Sequence, residues 1–417
     1  MPTTPTPTQT TPTPTQTTPT RTQTTPTARS AARAALARCL EPVDAETFLA
    51  EHWERRPLVV PRAEPGRFDD LLSEADVERL VCSTAIRSPA FRLVREGGQL
   101  SVGSYTSDVS WRPPFTATAD VPRVLAEWEA GATIVLQALH VNWHPLAVFC
   151  RLLEGALGHG VQANAYYTPR GSQGFAVHHD THDVLVLQVA GEKRWRLYDP
   201  LLELPLKHQR YSPALGRHGA PTAELELCAG DTLYLPRGWP HEAETSAADS
   251  LHLTIGITAY TWLDAVKDAL AECEDELAFR RGADGGEDAS ERAELLAERL
   301  GHEAVERRRR RKLLDSRRPI REDGLSQLRA LEKLGAGSLL ERRETVLAEL
   351  EHVDGGVALV FEGKSVRFPA RAAAAVEACF EHEGPIPLSD LPGGLDLEGR
   401  LVLVRRLVRE GFLRVSG

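Results

Sequence analysis

The sequence lacks most of the features that would assign it to a membrane, an oxidising compartment or a nucleic acid. Its six cysteines are scattered along 417 residues with no CxxC pair, which suits a reducing cytosol and argues against a disulfide framework or a thiolate zinc site. No apolar run approaches the length of a membrane span. Aspartate and glutamate outnumber lysine and arginine, 59 to 49, so any contact with nucleic acid would need a local basic patch. We therefore expect a cytoplasmic protein with no membrane contact.

The first 27 residues lack apolar segments and are almost without charge. They are nearly all Thr, Pro and Gln, Arg21 is their only charged side chain, and PTPTQTT occurs at 5–11 and again at 12–18. Because a secretory signal needs an apolar segment, residues 1–27 are expected to form an extended, disordered tail, with a glycosylated stalk as the alternative. The rest of the chain is long enough for two or three domains.

The chain beyond the tail divides into three pieces. Residues 28–260 begin with helical patterns and continue as short apolar or alternating runs separated by Gly, Pro and Asp, which predict an antiparallel barrel or jelly roll. Residues 261–350 return to charged helical patterns, with a turn at 282–289 and a helix over 290–318 that Ser290 would cap. Residues 351–417 indicate a hairpin around Gly363, a helix, a second helix burying Leu401, Val404 and Val408, and a short strand, the order of a winged-helix module.

Candidate ligands cluster in HHDTHD, residues 178–183. Residues two apart on a strand share a face, so His178 and Asp180 would point one way and His179 the other. A second segment, GDTLYLPRGWPHEAET at 230–245, contains His241, which antiparallel pairing would bring beside that pair. Two histidines and one carboxylate on one side of an ion form the facial triad of non-haem Fe(II) oxygenases, in which the open positions accept a co-substrate and O2.

Further candidates would line a cavity next to this triad. Lys193 follows His178 by 15 residues, on what should be the next strand and beside Trp195. A lysine there needs an anionic partner, which a dicarboxylate co-substrate would supply. Asn164 and Tyr166 are again two residues apart, just upstream, and are expected to point into the same cavity.

The order NAYYTPRGSQGFAVHHDTHDVLVLQVAGEKRWRLY, then GDTLYLPRGWPHEAET, then SLHLTIGI resembles the JmjC-type ribosomal oxygenases, which are Fe(II)- and 2-oxoglutarate-dependent protein hydroxylases. FLAEHWERRPLVV at 48–60 resembles their entry segment, and the resemblance covers about residues 40–417. It implies a mainly β catalytic core of the double-stranded β-helix or jelly-roll cupin type over 28–260. An α-helical connector that dimerises would follow over 261–350, and a winged-helix-like α+β domain over 351–417.

The same resemblance implies the site residues. The iron ligands fall on His178, Asp180 and His241 as catalytic residues, and the partner of the 2-oxoglutarate carboxylate falls on Lys193, with Asn164 and Tyr166 as neighbours. Some members place a hydroxyl residue at the position of Gly256, and Thr254, which has the same strand parity, is the expected substitute. The implied cofactors are Fe(II), 2-oxoglutarate and O2. The implied partners are a protein substrate, expected to be ribosomal and hydroxylated on histidine or arginine, and a second copy of the chain.

Two other functions remain open at this point. The same chemistry would serve a peptide or a small metabolite, and a non-catalytic metal-bound cupin would use its winged-helix end to bind a partner. The basic run ERRRRRK at 306–312 has a solvated or intramolecular role as the favoured interpretation and contact with rRNA as the alternative.

Several histidines and one aspartate near the candidate site have structural interpretations. His182 and Asp183 would either contact substrate at the mouth of the site or solvate the start of a strand. His140 and His144 are expected to be structural, where a strand runs into a Pro-initiated helix. His252 is expected to be a core histidine with a satisfied hydrogen bond.

Overall fold

The computed structural model describes residues 26–110, 114–282 and 289–416. The disordered tail predicted for residues 1–27 lies outside these ranges except at its end, where the first helix begins at Pro26. The turn predicted at 282–289 also lies outside them apart from its two end residues. Within the described ranges, no helix has both the length and the apolar character needed to span a membrane.

Short strands occupy much of the chain between residues 58 and 258. In chain order they are β1 (Leu58–Val60), β2 (Phe91–Arg95), β3 (Gly98–Gln99), β4 (Thr106–Val109), β5 (Phe115–Ala119), β6 (Thr133–Leu136), β7 (Gly160–Thr168), β8 (Asp183–Ala190), β9 (Glu192–Leu197), β10 (Ala223–Cys228), β11 (Thr232–Leu235), β12 (His241–Glu244) and β13 (Ser250–Thr258). Eight of them form one sheet in the order β1-β11-β8-β13-β7-β6-β2-β3, and β10-β9-β12 form a second sheet. The neighbours in both sheets pair antiparallel, which confirms the predicted antiparallel β core.

Helices lie before and between these strands. In chain order they are α1 (Pro26–Leu40), α2 (Ala45–Thr47), α3 (Glu74–Ser83), α4 (Val102–Tyr105), α5 (Val121–Glu129), α6 (Leu139–Asn142) and α7 (His144–Leu157). The strand expected just before Pro145 is wrong, because the residues there form α6. The Asn164 side chain accepts a hydrogen bond from the Ala138 N–H and so fixes the turn into that helix.

The two sheets face each other across a small apolar core. Val184 and Val186 of the large sheet pack with Trp195 and Leu197 of the small one. Each pair is two residues apart on its strand, so alternate side chains point into the space between the sheets. The larger core lies on the other face of the large sheet, where side chains of α1 and α7 pack against it.

The chain passes from β8 in the large sheet to β9 in the small sheet at Gly191. This residue has φ +65°, and a Cβ on it would lie 1.8 Å from the Asp249 carbonyl oxygen. Only glycine fits such a left-handed position against another backbone segment. The turn therefore places Lys193, two residues later, in the sheet that faces β8.

The connector contains α8 (Trp262–Glu272), α9 (Leu277–Arg280), α10 (Ser290–Arg299) and α11 (His302–Ser316). The single helix predicted over 290–318 is wrong, because the backbone of Gly301 leaves the helical region between α10 and α11. Ser290 is the first residue of α10 and not its N-cap. The cap position is occupied by Ala289, which has no side-chain oxygen to accept a backbone N–H.

The arginine-rich run of α11 is largely engaged within the molecule, in agreement with the intramolecular interpretation. Its cations bind acids on the neighbouring helices, on the C-terminal part and on α7. The ion pairs are Arg308–Glu272, Arg309–Glu306, Arg310–Glu349, Arg311–Glu351, Lys312–Asp268 and Arg317–Glu154.

The C-terminal part has its own apolar core. Its elements are α12 (Gly324–Ala330), β14 (Leu339–Arg342), β15 (Glu349–Val353), β16 (Gly356–Phe361), β17 (Lys364–Pro369), α13 (Ala370–Glu381), β18 (Ile386–Pro387), α14 (Leu397–Glu410) and β19 (Leu413–Ser416). The predicted hairpin at Gly363 joins β16 and β17. Leu401 was expected to be buried but is only partly so, since the inward face of α14 is formed by Leu403, Val404, Leu407 and Val408.

Candidate metal centre and its cavity

The HHDTHD segment lies ahead of a strand and not within it. β8 begins at Asp183. His178 instead forms an isolated antiparallel bridge with His241, in which the two backbones exchange N–H···O bonds of 3.2 and 2.8 Å. The alternation of side chains along a regular strand therefore does not explain why His178 and Asp180 point the same way. The two histidines are adjacent because residues directly opposite each other in an antiparallel pair project to the same side.

His178, Asp180 and His241 each turn one ligand atom towards a common point, and these atoms lie within 4.8 Å of one another. The Nδ1 atom of His178 lies 2.8 Å from the Ala176 carbonyl oxygen, and that of His241 lies 3.0 Å from the Trp239 carbonyl oxygen. Since a carbonyl only accepts, both Nδ1 atoms carry the proton and both Nε2 atoms present a lone pair. Two imidazole nitrogens and one carboxylate oxygen are a donor set that suits Fe(II), and also Zn(II) or Mn(II).

The protonation states of these residues fit a cation. Burial lowers the pKa of His241 to about 4, so its imidazole is neutral at physiological pH, the form that binds metals. Burial alone would raise the pKa of Asp180, but the nearby imidazoles of His182, His241 and His178 outweigh it and lower that pKa. The carboxylate is therefore ionised when the imidazole of His241 is neutral.

The candidate ligands line a cavity of about 200 Å³ between the two sheets. The large sheet contributes one wall and β9 with β12 the other. The lining side chains include Tyr166, Val184, Val186, Trp195, His252 and Thr254. A mainly apolar wall with a few polar groups is the usual composition of a small-molecule site.

Lys193 is the buried cation of this cavity. Its side chain is 3% exposed, and its Nζ donates to the Thr168 hydroxyl at 2.9 Å. Thr168 is bonded in turn to the Thr133 hydroxyl, at 3.1 Å. No carboxylate pairs with Lys193 in the described parts of the chain, and burial lowers its pKa to about 7. A buried ammonium with only a hydroxyl partner fits an anionic group that enters the cavity.

The other predicted cofactor neighbours occupy different positions. Tyr166 and Thr254 line the cavity, and burial raises the pKa of Tyr166 to about 12, so its phenol stays neutral. Asn164 points to the same face of β7, where its Oδ1 atom accepts the Ala138 N–H at 2.9 Å. This bond gives Asn164 a structural task in addition to the predicted one.

The space above Gly256 is filled by side chains from elsewhere. A Cβ at this position would lie 3.0 Å from His182 Cε1 and 3.0 Å from Gln162 Nε2. These two side chains therefore occupy the volume into which a hydroxyl residue at 256 would project.

Two residues near the site differ from their sequence-based interpretation. Asp183 is neither a mouth residue nor a solvated one, because it is wholly buried, paired with Arg237 at 2.9 Å and bonded to the Tyr234 hydroxyl at 2.9 Å. The satisfied hydrogen bond predicted for His252 is absent at its Nδ1 atom, which is buried without a partner within the described residues. His179 is not part of the ligand set. It points away from the three candidate ligands, with its Nε2 3.3 Å from the Gln209 carbonyl oxygen.

His140 has a structural role, and Thr168 and Arg92 are two residues of the cavity region that the sequence analysis missed. His140 Nδ1 accepts the Ala163 N–H at 3.2 Å, a structural role as expected. Thr168 lies two residues after Tyr166 on β7, so the strand alternation contained a signal for it. Arg92 lines the cavity from β2, with its guanidinium over the Phe175 ring at 5.2 Å. No local pattern marks an arginine on a strand so distant in sequence.

Comparisons with known proteins agree with this geometry. Residues 138–265 match the JmjC domain family model. The chain is 34% identical to ribosomal oxygenase 1 of Gallus gallus over 255 residues, 58% of this chain and 40% of that protein. It is 33% identical to ribosomal oxygenase 2 of Mus musculus over 239 residues, 56% of this chain and 49% of that protein. The bifunctional lysine-specific demethylase and histidyl-hydroxylase NO66 of Drosophila pseudoobscura pseudoobscura is 33% identical over 224 residues, 54% of this chain and 23% of that protein. The chain thus spans less than half the length of these curated relatives.

The fold is also found among solved structures. The Escherichia coli ribosomal oxygenase YcfD aligns with 90% of this chain and 98% of its own, at a TM-score of 0.52 and 19% identity. A structure of YcfD in complex with cobalt and 2-oxoglutarate aligns with 90% of this chain and 99% of its own, at a TM-score of 0.51 and 18% identity. At such low identities the structural alignments show a shared fold and nothing more. The similarity to ribosomal oxygenases rests on the sequence matches. The β core contains a JmjC domain of the cupin type, and over about half of its length the chain is similar to the JmjC-type ribosomal oxygenases.

Proposed function

We propose that this protein is an Fe(II)- and 2-oxoglutarate-dependent oxygenase that hydroxylates a side chain of a protein. One observation carries the proposal: a single cavity combines a His–Asp–His ligand set with a buried lysine that has no carboxylate partner among the described residues. A barrel that only held a metal would need the three ligands but not Lys193, whose burial is unfavourable without an anion. Lys193 therefore favours an oxygenase over a non-catalytic metal-binding cupin.

The residues of the cavity divide the work between them. His178, Asp180 and His241 would hold the metal with two imidazole nitrogens and one carboxylate oxygen, a donor set that suits Fe(II). The Lys193 ammonium binds the distal carboxylate of 2-oxoglutarate through a charge-assisted hydrogen bond. Bound together, Fe(II), 2-oxoglutarate and O2 supply the oxidising power for hydroxylation, with succinate and CO2 as the other products.

The cavity walls position the co-substrate and limit access of water. Tyr166 and Thr254 present a phenol and a hydroxyl from the large sheet, and Asn164 stays a predicted neighbour of the co-substrate. Val184 and Trp195 close the space between the sheets with apolar surface, which strengthens the electrostatic contacts inside it.

The assignment is tested by succinate formation in purified protein supplied with Fe(II) and 2-oxoglutarate. His241→Ala is expected to reduce the rate at least a hundredfold, because only two of the three ligands remain on the metal. His218→Ala is the matched control, since that histidine contacts Tyr198 at a tilted angle outside the cavity. Unchanged succinate formation in the His241 variant, or no binding of 2-oxoglutarate, would contradict the proposal.

We propose a ribosomal protein as the substrate, hydroxylated on histidine or arginine. The names of the relatives, ribosomal oxygenases and a histidyl-hydroxylase, support this class. Intact masses of ribosomal proteins from strains with and without the gene provide the test. One protein should lack a single oxygen atom in the deletion strain. If none does, a peptide or a small metabolite becomes the substrate class to examine.

We further propose a cytoplasmic homodimer with a catalytic domain at 28–260, a dimerising connector at 261–350 and a winged-helix-like domain at 351–417. Support for the dimer comes from α8, which buries Ala265 and Ala269 but leaves Trp262, Leu263 and Leu270 exposed by 68, 40 and 46%. The hairpin β16–β17, followed by α13 and α14, supports the winged-helix description. The cysteines are all free, as the cytoplasmic assignment requires.

A further inference from the structure

His252 lies on β13 beside an irregularity in the strand pairing. It is opposite Tyr166 of β7 and Gln188 of β8. The register between β13 and β8 shifts between Leu251 and His252, whereas the pairing with β7 is regular. Such bulges are frequent next to active sites. The side chain lines the same cavity as Lys193 and the candidate metal ligands.

The imidazole of His252 is held in one orientation by two aromatic rings. The Tyr166 ring stacks on it in parallel, with centroids 5.0 Å apart and 5° between the planes, and the Trp195 ring meets it edge-on at 5.6 Å and 73°. The residue is 4% exposed. Its Nδ1 atom is buried and has no hydrogen-bond partner within the described residues. A phenylalanine would make the same ring contacts without burying an unpaired nitrogen, so packing alone does not account for a histidine.

The charged groups around His252 indicate what its imidazole binds. Burial, together with the charges of Lys193 and His241, lowers the pKa of His252 well below its usual value, so the imidazole is neutral. A neutral imidazole has one N–H to donate and adds no second positive charge beside the Lys193 ammonium. An oxygen of a carboxylate held by Lys193 is an acceptor for that N–H.

We propose that His252 is a second binding residue for the co-substrate and donates a hydrogen bond to the carboxylate that Lys193 holds. This inference rests on the proposed function, since it takes the dicarboxylate 2-oxoglutarate as the ligand of the cavity. His252 is thereby a binding residue whose ring is held in place by Tyr166 and Trp195. Lys193 and His252 together bind the distal carboxylate of the ligand.

The test compares the dissociation constants of 2-oxoglutarate and succinate, measured by calorimetry on the Zn(II)-loaded full-length protein, in which no turnover occurs. His252→Phe keeps the aromatic contacts and removes the nitrogens. It is expected to weaken both ligands about tenfold or more, the effect of losing one hydrogen bond to a charged group. Both ligands should lose affinity alike, because succinate shares the distal carboxylate. His252→Asn or His252→Gln, each with an amide N–H, should restore part of the affinity.

Several controls separate this inference from folding and from the proposed function. Zn(II) affinity and the melting temperature should be unchanged in His252→Phe, and His252→Leu takes its place if the Phe variant does not fold. His218→Phe, which alters a histidine packed against Tyr198 outside the cavity, should bind both ligands as the wild type does. Affinities within twofold of the wild type in His252→Phe would overturn the inference. A loss confined to 2-oxoglutarate would also overturn it, because the contact would then lie at the keto-acid end.

The two proposals fail in different ways. If Lys193→Met loses both ligands while His252→Phe keeps them, only the role of His252 is wrong. If the wild-type protein binds neither 2-oxoglutarate nor succinate, the co-substrate itself is wrong, and the role of His252 falls with it.

Discussion

Buried polar residues of the barrel differ in whether the fold itself supplies their partners. Asp183 is fully buried, yet Arg237 and the Tyr234 hydroxyl bind both of its oxygens, so its charge is compensated within the protein. Lys193 has one hydroxyl partner, and the Nδ1 atom of His252 has none in the described parts of the chain. Because unpaired buried polar groups are unfavourable, those that line a cavity are the ones whose partner is a ligand. Whether the fold supplies a partner therefore distinguishes the structural from the functional residues among these buried polar groups.

The affinity for 2-oxoglutarate should depend on pH through Lys193. Its pKa of about 7 in the protein means that the ammonium is mostly present below pH 7 and is increasingly lost above it. The dicarboxylate binds the ammonium form, so the dissociation constant should rise above pH 7, approaching tenfold per pH unit, and binding should take up a proton. Calorimetry of the Zn(II)-loaded protein between pH 6.5 and 8.5, in buffers of different ionisation enthalpy, measures both. A flat profile without proton uptake would show that Lys193 does not titrate on binding.

Local sequence patterns predicted strands and hairpins correctly where the residues that determine the element all lie within one short segment. The apolar run of β8 and the hairpin at Gly363 are of this kind. The pattern failed where distant residues decide the local structure. Asp183 is buried because Arg237 comes from beyond β11, and the turn at Ala138 is fixed by Asn164 of β7.

The candidate site shows the same division. His178 and Asp180 were chosen because they are two residues apart, and His241 because a Gly-Asp strand precedes it. The structure brings the three together through a backbone bridge and not through a regular strand. Arg92 was missed because β2 reaches the cavity only through the pairing of the large sheet.

The connector is joined to the barrel by a buried ion pair whose loss should destabilise the protein. Arg317, which follows α11, donates to the Glu154 carboxylate at 2.9 Å and to the Arg151 carbonyl at 2.8 Å, and is 4% exposed. Arg317→Leu removes one of two arginines from the carboxylate, which keeps Arg151 and the Val161 N–H, and we expect a loss of about 2–4 kcal/mol in the free energy of unfolding. Urea denaturation measures it. Arg307→Ala, on the exposed side of the same run, should change it by less than about 0.5 kcal/mol, and equal effects would refute the special role of Arg317.

At the scale of the whole molecule, three parts share one chain but have different surfaces. The barrel encloses the cavity, the C-terminal part closes its own core, and α8 has only one of its faces covered. Exposed apolar side chains on one helix face mark an interface more often than they mark solvent-facing surface. The Thr261 cap begins α8 three residues after β13, the strand that contains His252 and Thr254. A partner bound to α8 would therefore be attached close to the wall of the cavity.

Dimerisation through α8 predicts a concentration-dependent mass of twice 45.8 kDa in sedimentation equilibrium. Leu270→Glu places a charge on the exposed apolar face and should weaken the dimer at least tenfold, because a charge buried there would be desolvated. Val402→Glu on α14 is the matched control, since that side chain is 61% exposed on the C-terminal part. A wild-type monomer, or a Leu270→Glu protein as dimeric as the control, would show that α8 is not the interface. If the dimer is lost while 2-oxoglutarate binding is kept, the connector and the cavity act independently, as expected when the barrel alone builds the site.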